Sequence, residues 1–197
     1  MDCVGAESCV TVHVIHGIHT EGVSPVEGLI AYLIPLAVKY PDYGYILGVE
    51  TRIVNPLITG TLLPYIAKDD IIIGHSNGCA IAYSLINSGA PVGGAIFINA
   101  ALQQDIICKC PFIDVYYNAG DDITEAAKLG AELGIDDPVW GAMGHGGYLG
   151  NDKRVTNYNC GATASMPPVC GHSDFFTPSK LAAWGPFLAK NLQAHLQ

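Results

Sequence analysis

Positive charge is what this sequence has least of: nine Lys and Arg stand against 18 Asp and Glu, a net charge of -9 over 197 residues. The nine are scattered, whereas a protein that grips a phosphate backbone needs them clustered, so no nucleic-acid partner is expected. The same scarcity leaves no basic amphipathic segment for a membrane surface. Long apolar runs are missing too. Half the residues are hydrophobic, yet Pro, Gly or charge interrupts every run before the roughly 18 residues that a membrane span needs. The opening "MDCVGAESCVTVHVIHG" has an acid at position 2 and no cationic start leading into an apolar block. It does not read as a secretory signal, and a cytoplasmic protein without integral membrane association is expected. Zinc patterns are also absent: the seven cysteines include no C-x-x-C pair and no Cys/His array with ligand spacing. An odd count leaves at least one thiol unpaired. Cys108 and Cys110 are too close for an easy bridge, Cys160 and Cys170 are the pair a loop could join, and reduced thiols are the state that compartment favours.

What is present is a weakly charged chain (14%) with 23 Gly and 12 Pro, the profile of a compact, loop-rich globular protein. Its length fits a single domain over residues 1–197 with a sizeable core. Strand-like and helix-like segments alternate. "CVTVHVIHG" sets Val10, Val12 and Val14 on one side and ends in a His-Gly turn. "SPVEGLIAYLIPLAVKY" follows as a helix, with Ser24, Pro25 and Glu27 spelling a capping box. "YILGVETRIV" reads as a second strand and "NPLITGTLLPYIAK" as a helix capped by Asn55. "DIIIGHS" is a short apolar strand and "NGCAIAYSLINSG" a helix stopped by Gly89. "GGAIFINAAL" and "FIDVYYNAG" are strands, "TEAAKLGAELG" a helix, "VTNYNC" a last strand and "PSKLAAWGPFLAKNLQAHL" a closing helix. Alternation with continuously apolar strands indicates an α/β fold, a mostly parallel sheet covered on both faces.

In "DIIIGHSNGCAIAYSLI" the apolar strand gives way to a helix at Ser76, with Gly74 and Gly78 two residues to either side. Ligands gather at the carboxyl ends of strands in such sheets. Glycines at those positions relieve crowding in a sharp turn that lifts the serine hydroxyl clear, the G-x-S-x-G elbow. A serine hydroxyl needs a base to take its proton, and imidazole suits that work near neutrality. Of seven histidines, His172 in "VCGHSDFF" lies in a loop before the closing helix, and His145 in the glycine-rich "WGAMGHGGYLGNDKR" is its rival. His13, His16 and His19 recur every three residues, but on a strand that spacing points them to opposite faces, so no metal site is expected. The imidazole needs a carboxylate partner, and "FIDVYYNAGDDIT" supplies Asp121 and Asp122 just past a strand end.

The order Ser76, Asp121 or Asp122, His172 resembles the α/β-hydrolase family. "VHVIHG" is similar to its strand ending in an oxyanion turn, "GHSNG" to its elbow, "YNAGDD" to its acid turn and "GHSDFF" to its histidine loop; together they span Val10 to the closing helix. The resemblance implies a serine hydrolase acting on a small-molecule carboxylic ester without a cofactor. Ser76 would be the nucleophile and His172 the base, with the Ile18 and Asn77 amides as oxyanion hole. The family's inward-packing β-branched residue after the acid matches Ile123, which assigns orientation to Asp121 and leaves Asp122 to cap the following helix. The chain departs from the family by lacking its first strands, so about six are expected. The connection after "AIFINAAL" is also too short for a helical cap, which implies preference for short-chain esters. The same residues would serve an acyltransferase, a thioesterase or an amidase, and a silent binding module on the same fold is the reading of another class.

Overall fold

The computed structural model describes residues 10–18, 25–44, 46–47, 50–106 and 108–197. Strands β1 (Thr11–Ile15), β2 (Ala37–Lys39), β3 (Ile71–His75), β4 (Gly94–Ile98), β5 (Ile113–Tyr117) and β6 (Val155–Asn159) form one sheet in the order β2-β1-β3-β4-β5-β6. Every pairing is parallel. The helices are α1 (Ile30–Leu33), α2 (Thr51–Leu62), α3 (Asn77–Asn87), α4 (Asp122–Glu132), α5 (Met143–Gly146) and α6 (Pro178–His195).

Alternation along each strand divides the core in two. Val12, Val14, Ile71, Ile73, Ile96 and Ile98 meet α1 and α6 on one face. Ile15, Ile72, Ala95, Phe97, Ile113 and Val115 meet α2, α3, α4 and α5 on the other. Strands buried on both faces need no polar alternation, which is why β3 and β4 read as apolar runs. From β1 the chain steps outward to β2, then returns past β1 to β3, so the winding reverses between β1 and β3. The register sets Ile15 beside Gly74 and His75 beside Ile98, bringing the carboxyl ends of β1, β3 and β4 level at that switch point. A crevice there is where such a sheet binds ligands.

Two expected elements are corrected. The long helix from Pro25 is a 3-10 turn (Pro25–Leu29) and the single turn α1, after which Ala37–Lys39 forms the edge strand. Pro35 offers no N–H and pushes the preceding residue out of the helical region; Ile34 is accordingly extended (φ -61°, ψ 135°). The Ser24 cap lies outside the described residues. The strand expected over 45–54 is replaced, from Thr51 on, by α2, with Pro56 inside it. Its buried positions, Thr51, Asn55, Ile58 and Thr59, follow a helical stripe, so Asn55 faces the interior instead of capping. Cys79, Cys108, Cys110, Cys160 and Cys170 are free thiols, so Cys160 and Cys170 are not bridged. Burial pushes the Cys110 thiol up to about 11 and Cys160 to about 12; such thiols are inert. Cys3 and Cys9 lie outside the described residues.

Candidate active site

Ser76 follows β3 and precedes α3 with φ 56° and ψ -126°, a conformation that side chains other than glycine rarely adopt. The glycines around it answer to contacts. A Cβ on Gly74 would lie 2.8 Å from both the N and Cα of Cys79, and one on Gly78 would strike the Ile15 and His16 carbonyl oxygens. Gly17, after β1, comes equally close: a Cβ there would sit 2.9 Å from Ser76 Cβ and 3.3 Å from its Oγ. The turn is tied down by Ser76 N–H donating to the Ile98 carbonyl at 3.2 Å. The Ser76 carbonyl in turn accepts from Cys79 N–H (3.0 Å) and Ala101 N–H (3.3 Å).

The Ser76 hydroxyl lies 2.8 Å from His172 Nε2. His172 Nδ1 lies 2.8 and 3.0 Å from the two oxygens of Asp121. A carboxylate only accepts, so the proton belongs on Nδ1, and Nε2 is left to accept from Ser76. The His172 side chain keeps 15% of its surface exposed, Asp121 none. Asp121 also accepts from Thr124 N–H at 3.2 Å and so caps α4 itself. That corrects the expectation that Asp122 is the cap: Asp122 is the first residue of α4 and exposed. Ile123, expected to pack inward, is 58% exposed, because the helix starts one residue earlier and turns it outward. The inward contact comes from Gly144 of α5, where a Cβ would lie 2.6 Å from Asp121 Oδ2. His145, beside it, faces α4 and sits 4.0 Å from Glu125.

The loop bearing His172 is held through its backbone by residues that single-position reading of the sequence passes over. The His172 carbonyl accepts from Asn99 Nδ2 (2.6 Å) and His75 Nε2 (3.1 Å). Asn118 donates to the Gly171 carbonyl (3.2 Å) and to Asn99 Oδ1 (3.1 Å), and accepts from Gly171 N–H (3.0 Å). Asn99, at the end of β4, takes a left-handed φ of 45°, which Asn tolerates better than most. Burial, with the nearby His172 as the lesser cause, lowers the His75 pKa to about 3. His75 is therefore a neutral donor throughout the working range. Its only local signal is its place in "GHSNG", as that of Asn118 is its place in "YNAGDD".

The end of β1 is fixed as firmly. Tyr43 stacks on His16 with ring centroids 3.9 Å apart, and its hydroxyl donates to the His16 and Gly17 carbonyls. His16 Nδ1 donates to the Gly17 carbonyl at 2.7 Å. Burial raises the Tyr43 pKa and lowers that of His16, keeping both uncharged. Ile18 follows this turn, half-buried, and Asn77 heads α3 directly behind Ser76. His13 is engaged elsewhere, 2.8 Å from Asp70; His19 lies outside the described residues. Among the described residues no cluster of His, Cys, Asp and Glu is arranged to hold a metal, and no helix is long and apolar enough to cross a membrane.

No family model and no curated protein matches this sequence. Solved structures do. The esterase domain of a Rhodothermus marinus protein is 12% identical with a TM-score of 0.55, over 97% of this chain and 89% of that one. The monoacylglycerol lipase of Paleococcus ferrophilus is 11% identical with a TM-score of 0.55, over 94% of each chain. Aspergillus fumigatus lipase B is 12% identical with a TM-score of 0.56 over 87% of this chain, which spans only 50% of that enzyme. At such identities the likeness is one of fold. The chain has the α/β-hydrolase fold.

Proposed function

We propose that the protein is a serine hydrolase of carboxylic esters, and the observation that carries this reading is the unbroken relay from Ser76 Oγ through His172 to Asp121, 2.8 Å at each link. Ser76 attacks the acyl carbon as His172 Nε2 takes its proton; Asp121 holds the tautomer and stabilises the imidazolium. In this reading the tetrahedral oxygen is received by the N–H groups of Ile18 and Asn77; the close approach of Gly17 to Ser76 and the place of Asn77 at the start of α3 support it. His172 then protonates the leaving alcohol, and a water activated by the same nitrogen releases the acyl group. The route calls on no cofactor. That the similar folds include an esterase domain and lipases supports an ester over other acyl substrates. No helix occupies the described part of 99–112, between β4 and β5, which fits short-chain esters entering without a cap.

The test is labelling with a fluorophosphonate, the adduct located by mass spectrometry, alongside turnover of a short-chain ester. Label is expected on Ser76 alone. Ser76→Ala is expected to take none and to lose kcat by several orders of magnitude, keeping about 10³–10⁴-fold over water. Label on another serine, or unchanged turnover in Ser76→Ala, refutes the reading.

A further inference from the structure

Behind Asn77 lies a closed group of polar side chains in an otherwise apolar layer. Asn77 Oδ1 accepts from Asn55 Nδ2 at 2.8 Å and from Trp140 Nε1 at 2.9 Å, and Asn77 Nδ2 donates to Asn55 Oδ1 at 2.8 Å. Asn55 Nδ2 also donates to Asp137 Oδ2 at 2.8 Å, while Asp137 Oδ1 accepts from Val139 N–H at 3.1 Å. Exposure is 0% for Asn77, 1% for Asn55, 6% for Trp140 and 7% for Asp137. The members come from α3, α2 and the segment before α5, and the hydrogen-bonded side-chain pairs lie 22 to 82 residues apart in the chain. Apolar side chains would fill the same space without the cost of stripping water from two amides and a carboxylate. What a satisfied buried network gives in return is a single geometry.

That geometry is imposed on one residue. Asn77 is gripped at both ends of its amide by three hydrogen bonds, so its side chain cannot rotate and its backbone cannot drift with it. As the first residue of α3 it has a main-chain N–H without a partner inside the helix. We infer that Asn55, Trp140 and Asp137 are positioning residues, a brace that holds the Asn77 N–H on the oxyanion; the inference rests on the reading of Ser76 as nucleophile. An oxyanion donor works only when preorganised, and displacement by about an ångström can cost on the order of 10²-fold in rate.

Two variants loosen the brace differently: Asn55→Ala removes both its bonds to Asn77, and Trp140→Phe removes one donor while keeping the ring. Ile58→Ala, a core truncation in the same helix, is the control for lost stability. Each is titrated with a fluorophosphonate so that kcat is counted per reactive serine on a p-nitrophenyl acetate substrate. The affinity of benzeneboronic acid, whose tetrahedral adduct places an oxygen in the oxyanion position, is measured beside it. The expected result is a kcat per site about tenfold to 10²-fold lower in Asn55→Ala and less so in Trp140→Phe. KM should hold, and boronate affinity should weaken by the same factor as kcat/KM. Ile58→Ala should melt earlier yet keep its kcat per site. Wild-type protein that takes no label at Ser76 overturns both this inference and the reading beneath it. Wild-type protein that labels and turns over, with kcat per site and boronate affinity unchanged in the variants, overturns the brace alone. Should Asn55→Ala fail to fold, Trp140→Phe decides.

Discussion

Helices α3 and α4 begin alike, each at the carboxyl end of a sheet strand, each behind a residue whose type ordinarily caps helices. They use those residues in opposite ways. Ser76 makes no capping bond; its strained backbone swings the hydroxyl off the helix and toward His172. Asp121 keeps a negative φ (φ -86°, ψ 73°) and caps, accepting from Thr124 N–H while its oxygens also meet His172. A capping hydroxyl would accept with a lone pair and keep its proton, but it would be turned onto the helix amides and away from His172. A carboxylate has lone pairs for both tasks. Of the two, only Ser76, whose hydroxyl stays off the helix, takes a left-handed φ, while Asp121 is held by an ordinary cap.

The comparison is broken most violently at Asp121. Asp121→Asn keeps an excellent cap but can hold the imidazole in the wrong tautomer, so kcat is expected to fall by up to about 10⁴ with melting nearly unchanged. Asp121→Ala should lose the same activity and about 0.5–2 kcal/mol of stability as well, read from denaturant unfolding. If the two variants are equally stable, Asp121 does not cap α4.

At Ser76 the sign should reverse. Replacing a capping serine by glycine normally costs a few tenths of a kcal/mol. Here no cap is lost and glycine accepts the backbone angles at no strain, so Ser76→Gly is expected to stabilise the inactive protein by about 1–3 kcal/mol. A lower melting temperature for Ser76→Gly would show that the turn is not strained.

His75 supports the loop that both helices face, and its test is pH. Its folded pKa of about 3 lies below the unfolded value of 6.5. Above 6.5 both states are neutral and nothing is lost. As pH falls below that, the unfolded chain takes up a proton that buried His75 refuses, so stability drains away between about pH 6.5 and 3. His75→Gln keeps an amide to donate to the His172 carbonyl but has no such titration. The stability gap between wild type and His75→Gln should therefore narrow from pH 7 to 5, by about 2 kcal/mol. A gap constant with pH refutes the buried neutral imidazole.

The alternation of segments disclosed five of the six strands and most helices, but not the edge strand β2, because strands buried on both faces and helices with one apolar stripe have unlike periods while β2 is short and exposed. It failed where context overrode pattern. Thr51–Val54 are β-branched or long enough to suit a strand, yet they begin α2, whose stripe shows only when Asn55 and Thr59 are counted as interior. Ser76, Asp121 and His172, the three side chains the structure joins by hydrogen bonds, each carried a local signal: flanking glycines, a strand end, a loop before a helix. Asn99, Asp137 and Trp140 carry none, Asn118 only its place in "YNAGDD", and Asn55 a misleading one, that of a helix cap. Each is one polar residue whose partner lies far along the chain, and a pairing of that kind exists only after folding.

The smallest effect belongs to Asp122, where sequence and structure part by a single residue. Read from the sequence, Asp122 caps α4; in the structure the cap is Asp121 and Asp122 is the exposed first residue of the helix. What remains for it is attraction between its charge and the positive end of the helix, worth about 0.3–1 kcal/mol and screened by salt. A lost cap would cost more and would not respond to salt in this way. Asp122→Ala should thus be fully active and slightly destabilised at low ionic strength, with the deficit shrinking as salt is added. A salt-independent loss as large as that of Asp121→Ala would return the cap to Asp122, and an inactive Asp122→Asn beside an active Asp121→Asn would exchange their roles at His172.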